Sequence, residues 1–319
     1  MIDLATRFRR GLALGAGLLA LALVTAGCDA FTDKDLGDSN PQTPTIAQYI
    51  QEVRVLSSLE AAVDEAGLAG TLENDGPFTV FAPVDEAFSP ALNPSLNRQV
   101  TQKVVEDHAV SGAVASGQLS DGQVVETLSG DSLTIGTADG VTVNRATVTN
   151  ADAEASNGVV HVVDNLLIDA VDRATLTPRF TIFARLVKEA GLESALRSPG
   201  ANDGRTIFAP TNEALLNAFD ANNNGSIESF EIDLDNFAPI LQHHVLDSVF
   251  LAADVPTSPT SVETLEGTDL TVERDENTGT VTVAFGEGDA AVSATVETAD
   301  IVVDNGVIHG IDVVLPLYF

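Results

Sequence analysis

A chain of 319 residues carrying 47 acidic and 15 basic residues, net −32, is long enough for two domains with separate cores. Its charge repels nucleic acid and anionic lipid headgroups, and its single cysteine, Cys28, excludes an intrachain disulfide. The acidic residues are spread over segments that pattern as folded; either adaptation to high salt, where screening relieves self-repulsion, or an ordinary acidic secreted protein accommodates them.

Residues 1–27 read as a lipoprotein signal peptide. Arg7, Arg9 and Arg10 precede an apolar run from Leu12 to Val24, too short for a ~30 Å bilayer core, and Thr25-Ala26-Gly27-Cys28 resembles a bacterial lipobox with acylation at Cys28. The alternative is a soluble secreted protein cut nearby with a free thiol. Residues 28–44 are polar, acidic and proline-containing, an acidic tether able to reach about 50 Å when extended.

The first folded element is a helix capped by Thr45, with Ile46, Ile50, Val53, Leu56, Leu59 and Val63 on one apolar stripe, ended through Gly67 and Gly70. The run 78–83 (FTVFAP) patterns as a strand stopped by Pro83, after which Asp85 is placed to cap a helix carrying Ala87 and Phe88. A later helix ends near His108, Val141-Thr142-Val143 belongs to a hairpin, and 157–164 (NGVVHVVD) couples an Asn-Gly turn to a strand buried on both faces.

The same blocks then recur in the same order. Residues 180–196 repeat the opening helix, 205–216 (RTIFAPTNEALL) repeat the FTVFAP block, His244 repeats His108, Thr280 to Val283 supply a hairpin strand, and 305–312 (NGVIHGID) repeat the buried strand. Matching positions are separated by 127 residues at Phe81/Phe208, 136 at His108/His244 and 148 at His161/His309, so the second copy carries two insertions. These blocks resemble the fasciclin domain family, with its TVFAPTDxAF-like block, its Tyr-His block at a helix end and its terminal NGVIHVID-like block. The resemblance implies an α+β fold of two tandem domains, 45–171 and 174–319, each a β-sandwich wedge with packed α-helices. It also implies non-enzymatic adhesion or matrix contact. The family's Tyr is replaced by Asp107 and His243, which argues against integrin-type recognition.

The first insertion, 220–231, fits an EF-hand calcium loop. Asp220, Asn222 and Asn224 stand at loop positions one, three and five, Gly225 at the sharp turn, and Ser226 offers its carbonyl at seven. Glu228 at nine binds directly or through water, Glu231 at twelve is the bidentate ligand, and Ile227 pins the loop to the core. The bland alternative is a polar insertion with Asn-Gly turn chemistry. One calcium, as a brace to the second domain in a loop without a partner hand, is the expectation.

Residues 130–136 (GDSLTIG) imitate the nucleophile block of GDSL esterases at Ser132, but the downstream Asp-x-x-His pair is missing and Asp269 replaces the serine in the second copy, so a strand and its turn are expected. His108, His161, His244 and His309 obey the repeat and read as buried, hydrogen-bonded structural residues. The functional expectation is a lipid-anchored cell-envelope protein, its membrane contact made through the anchor and its partner an unidentified protein or polysaccharide surface, a second copy of the chain included. A polysaccharide- or small-ligand-binding lipoprotein is the alternative.

Overall fold

A run of mostly β-branched residues is stable as a strand only where both faces are covered, and the repeated Asn-Gly segments meet that condition inside two seven-stranded sheets. The computed structural model describes residues 43–89, 92–200, 204–228, 231–232, 234–286 and 291–316. The signal segment, Cys28 and nearly all of the tether lie outside the described residues.

The first sheet contains β1 (Phe78–Pro83), β2 (Ala109–Ser111), β3 (Val124–Glu126), β4 (Ser132–Gly136), β5 (Thr142–Val143), β6 (Ala146–Ala155) and β7 (Gly158–Val163), in the order β2-β1-β7-β6-β5-β4-β3. β1 and β7 run parallel from Phe78 opposite Gly158 to Pro83 opposite Val163, and the other neighbours are antiparallel. Alternation then sorts the side chains. Val80, Ala82, Val160 and Val162 pack under the helices, while Phe81 and Val163 face Leu133, Ile135 and Val143 from the other half of the sheet. The sheet thus folds over itself as the wedge of a β-sandwich.

Among the described residues, four helices cover the first domain: α1 (Ile46–Glu52), α2 (Ser57–Ala66), α3 (Ala69–Asn74) and α4 (Arg98–Asp107). Thr45 caps α1 in a capping box with Gln48. The single helix expected from Ile46 to Val63 is broken: Val53 is extended, at φ −91° and ψ 106°, and a 3-10 turn over Arg54–Leu56 leads into α2. The apolar stripe survives because Ile46, Ile50, Leu56, Leu59 and Val63 are all buried. Gly67 ends α2 at φ +76°, whereas Gly70 lies inside α3. Asp85 does not cap the turn that follows it. Its carboxylate accepts the Ser58 N–H at 2.7 Å and the Ser57 hydroxyl at 2.9 Å, capping α2 from outside, and hydrogen bonds of this kind hold the carboxyl below its ordinary pKa against the opposing effect of burial.

The second domain contributes α5 (Ala170–Leu176), α6 (Thr181–Glu189), α7 (Glu193–Arg197), α8 (Asn212–Phe219) and α9 (Leu234–His243). Its strands are β8 (Arg205–Pro210), β9 (Val245–Leu246), β10 (Thr260–Glu263), β11 (Asp269–Arg274), β12 (Val281–Phe285), β13 (Val292–Val303) and β14 (Gly306–Ile311), in the order β10-β11-β12-β13-β14-β8-β9. β8 and β14 are the parallel pair. Gly191, at φ +69°, splits the helix expected over 180–196 into α6 and α7.

Residues 172–173, unassigned between the two repeats, are not a linker. They lie inside α5, with Asp172 and Arg173 each 1% exposed. Ala87, Val104 and Leu166 of the first domain share one apolar cluster with Phe180, Phe183 and Leu186 of the second, so the two domains are joined through a common core.

Candidate functional site

The repeated histidines are consumed by the fold. His108 closes α4, where its Nδ1–H donates to the Val104 carbonyl at 2.7 Å and its Nε2 accepts the Leu167 N–H at 2.9 Å. His244 repeats this with the Ile240 carbonyl at 2.7 Å and the Leu315 N–H at 3.0 Å. Burial lowers the pKa of both to about 4, which keeps them neutral. His161 and His309 instead anchor bulges: their Nδ1 atoms accept the N–H of Asp152 and Asp300, at φ +61° and +59°, and their Nε2–H groups donate to the Val114 and Phe250 carbonyls. Phe81 and Phe208 stack on them at 5.6 and 5.7 Å. Ser132 begins β4 opposite Glu126, in the strand-and-turn role its repeat position requires.

His243 replaces Asp107 of the first copy. Its Nδ1 lies 2.6 Å from the Thr268 hydroxyl and its ring meets the Phe285 edge at 4.5 Å, while its Nε2 and the nearby Glu266 Oε2 are buried with no hydrogen-bond partner among the described residues. In the first copy Asp107 accepts from Ser129 and Lys103 at the corresponding place. The sequence marked His243 as extra without revealing this pairing.

The insertion 220–231 leaves α8 at Asp220, its C-cap, and precedes α9. The Asp220 carboxylate accepts the N–H groups of Asn224 at 3.1 Å and Gly225 at 2.8 Å; Asn222 Oδ1 accepts Asn224 N–H and Asn224 Oδ1 accepts Ser226 N–H. Glu231 closes the circuit by accepting the N–H groups of Asn222 and Glu228 at 3.2 and 2.9 Å, and the Glu228 oxygens receive the amides of Asn222 and Asn224. Asn223 and Gly225 take left-handed backbone, φ +56° and +80°. Ile227 is 1% exposed, and Arg185 of α6 donates to its carbonyl at 2.9 Å. The predicted residues thus interlock in one exposed loop whose donors are all oxygen, the ligand chemistry a hard divalent cation requires. Among the described residues, however, no three His, Cys, Asp or Glu side chains gather as around a metal ion.

A second polar assembly lies at α5, and sequence reasoning missed it. Asp169 caps the helix by accepting the N–H groups of Val171 and Asp172 at 2.8 and 3.0 Å. Arg197 of α7 holds Asp172 bidentately at 2.7 and 2.9 Å and also bonds Asp169. Lys103 of α4 reaches Asp107 and Asp131 at 2.7 Å each and Asp172 at 3.4 Å. Burial would raise Asp172, but Arg197 outweighs it and holds the carboxyl low; Asp169 is pushed up to about 6 by burial and then by Asp172. Lys103 and Asp107 stand four apart on α4, a spacing visible in the sequence; the other partners come from separate parts of the chain, and only the scarcity of basic residues could have pointed to them.

Comparison with known proteins follows the repeat. A family model described as the fasciclin domain matches residues 54–169 and 178–317. The chain is similar to "Protein sll1483" of Synechocystis sp., 38% identical over 168 residues, covering 50% of this chain and 91% of that protein. It is also similar to periostin of Homo sapiens, 32% identical over 212 residues; the match covers 63% of this chain and only 24% of periostin. Among solved structures it is similar to a domain pair from the insect cell adhesion molecule fasciclin I, with 17% identity and a TM-score of 0.40 over 86% of this chain and 97% of that one.

Proposed function

Because the chain belongs to the fasciclin domain family, we propose that it is a non-enzymatic adhesion or matrix-binding protein of the cell envelope, exported, lipid-anchored at Cys28 and braced by calcium in its second domain. The family match in both halves carries this reading. Its molecular support is the shared core around α5, in which apolar side chains of both domains pack together. The histidines add to it, since four of the five are committed to backbone groups through both ring nitrogens.

In the calcium reading, the side chains of Asp220, Asn222, Asn224 and Glu231 and the carbonyl of Ser226 hold the ion, with Glu228 direct or through water. The ion supplies positive charge to three carboxylates and fixes the loop against Ile227. With two neutral Asn ligands and no partner loop, affinity falls in the weak range of roughly 10⁻⁴ to 10⁻³ M.

The test is aggregation of beads coated with the chain from Asp29 onward, in calcium, in chelator, and with Glu231→Gln. Beads that clump with one another, or bind matrix-coated beads, support adhesion, and dependence on calcium and Glu231 supports the brace. Beads that bind neither surface under any condition overturn the adhesion reading.

A further inference from the structure

The two domains enclose a cleft of about 1120 Å³. Its wall combines Lys103, Asp131 and Arg145 of the first domain with Asp169, Arg197 and Asp304 from α5 and beyond. In a chain with 15 basic residues in all, three cations line this one cavity. Arg145 extends toward the second domain: a Cβ on Gly204 would lie 2.5 Å from its Nη2.

The wall's chemistry narrows the ligand. Lys103 holds Asp131 and Arg197 holds Asp169, while Asp107, Asp121 and Asp304 also line the wall, so carboxylates outnumber cations five to three and the two kinds of group are interspersed. A polyanion meets the carboxylates and the charge of the whole protein. A bare metal ion would have to displace Lys103 and Arg197 from the carboxylates they hold. Asn144, at φ +50°, accepts the Thr134 N–H at 2.9 Å and hydrogen-bonds Asp304, and so fixes that carboxyl in the wall. A hydroxyl donates to a carboxylate and accepts from a guanidinium or ammonium group, and so meets both kinds of charged group in this wall without adding charge of its own. The cleft, at about 1120 Å³, slightly exceeds the roughly 300–1,000 Å³ usual for ligand sites and lies between domains, where such sites concentrate. Among the described residues its lining contains no aromatic side chain, so recognition rests on hydrogen bonds rather than ring stacking.

We propose that the interdomain cleft binds a neutral, hydroxyl-rich ligand of oligosaccharide size, with Asp131 and Arg145 as its reading residues. The assignment rests on the adhesion reading for its role, since it names the chemistry of a partner, but it is tested separately.

The experiment titrates the chain from Asp29 onward by calorimetry with three neutral probes, maltotriose, cellotriose and isomaltotriose, and with spermidine and a sulfated disaccharide as charged controls. The expected result is millimolar binding of at least one trisaccharide in preference to both controls, weakened about tenfold by Asp131→Asn and by Arg145→Gln. Circular dichroism and melting report whether each variant is folded. Hydrogen exchange on the wild-type chain keeps the test independent of the variants, with protection by the bound trisaccharide expected around residues 131–136 and 197–199. Absence of trisaccharide binding up to about 50 mM, preference for a charged control, unchanged affinity in both folded variants, or protection elsewhere overturns the proposal. Bead adhesion persisting without trisaccharide binding overturns the cleft and leaves adhesion standing; trisaccharide binding without bead adhesion does the reverse.

Discussion

Asn157 and Asn305 make the same long-range connection in the two domains: each amide oxygen accepts, at 2.9 Å, the N–H of the first residue of its domain's first helix, Ile46 in one and Ala170 in the other. Each Nδ2 then donates to carbonyls further along, Leu72 and Asp75 for Asn157 and Leu196 for Asn305. The glycine that follows is required by proximity. A Cβ at Gly158 or Gly306 would stand 2.0 Å from the Phe78 or Arg205 carbonyl oxygen, at φ +157° and +149°. The Asn-Gly pair is therefore a latch between helix and sheet as well as a turn. Asn305→Ala, at a buried site, is expected to cost about 2–3 kcal/mol in urea unfolding, and Asn157→Ala less, because partly exposed groups recover water. Equal losses would show that burial does not set the difference.

His108 and His244 fix a pH response. Their folded pKa values, lowered by burial to about 4, lie below the ordinary 6.5, so between those values the unfolded chain binds protons that the folded chain refuses. Their stabilising contribution is complete above pH 6.5 and is lost as pH falls toward 4, on the order of 3 kcal/mol each. Their ring C–H resonances should stay flat from pH 8 to 5; a midpoint near 6.5 would contradict the buried, neutral assignment.

Asp304 acts in the opposite direction. Burial raises its carboxyl to about 8, so the folded chain keeps a proton that the unfolded chain gives up above about pH 4, and stability declines as pH rises from 4 to 8. Asp304→Asn removes that slope. The variant should match the wild type near pH 4 and exceed it by about 3–5 kcal/mol at pH 8, as measured by paired urea titrations; a constant gap would exclude titration of Asp304 as its source.

Lys103 serves two acids that are almost inaccessible, Asp107 and Asp172, with side chains 8% and 2% exposed. Lys103→Met leaves both without their ammonium partner. A loss of about 2–4 kcal/mol is expected, the lower part of the range reflecting the partial exposure of Lys103 itself. Adding Asp107→Asn should recover part of it, and the double-mutant cycle measures how much.

For the calcium loop, raising calcium to about a hundred times its dissociation constant should stabilise the chain by about 2.7 kcal/mol. Glu231→Gln should abolish that increment. An increment that persists in the variant would place the ion elsewhere.

Much of this molecule is legible in its sequence because the repeat shows each decisive residue twice. His161 and His309, the Asn-Gly pairs and the parallel core strands follow from that duplication. The break at Val53 is hidden because a 3-10 turn returns the chain to the same apolar face, leaving the periodic pattern intact. Asp85 looks like a cap for the residues after it, yet its partners lie 27 and 28 positions earlier, and the same place in the second copy, Asn212, accepts from Ile182 of α6. The junction helix α5 is the counterpart of α1, latched by Asn305 as α1 is by Asn157. Asp172, however, stands where α1 has Gln48, so no repeated residue marks the junction; Asp172 answers to a cation from each domain.

The parallel register of β1 with β7 has a mechanical meaning. A load that pulls the start of β1 away from the end of β7 draws the two strands past each other, so all the rungs from Phe78–Gly158 to Pro83–Val163 are strained together instead of opening one at a time. The β8–β14 pair repeats the arrangement. Each domain therefore resists stretching along its central strands in shear, the direction in which a ladder of hydrogen bonds is strongest.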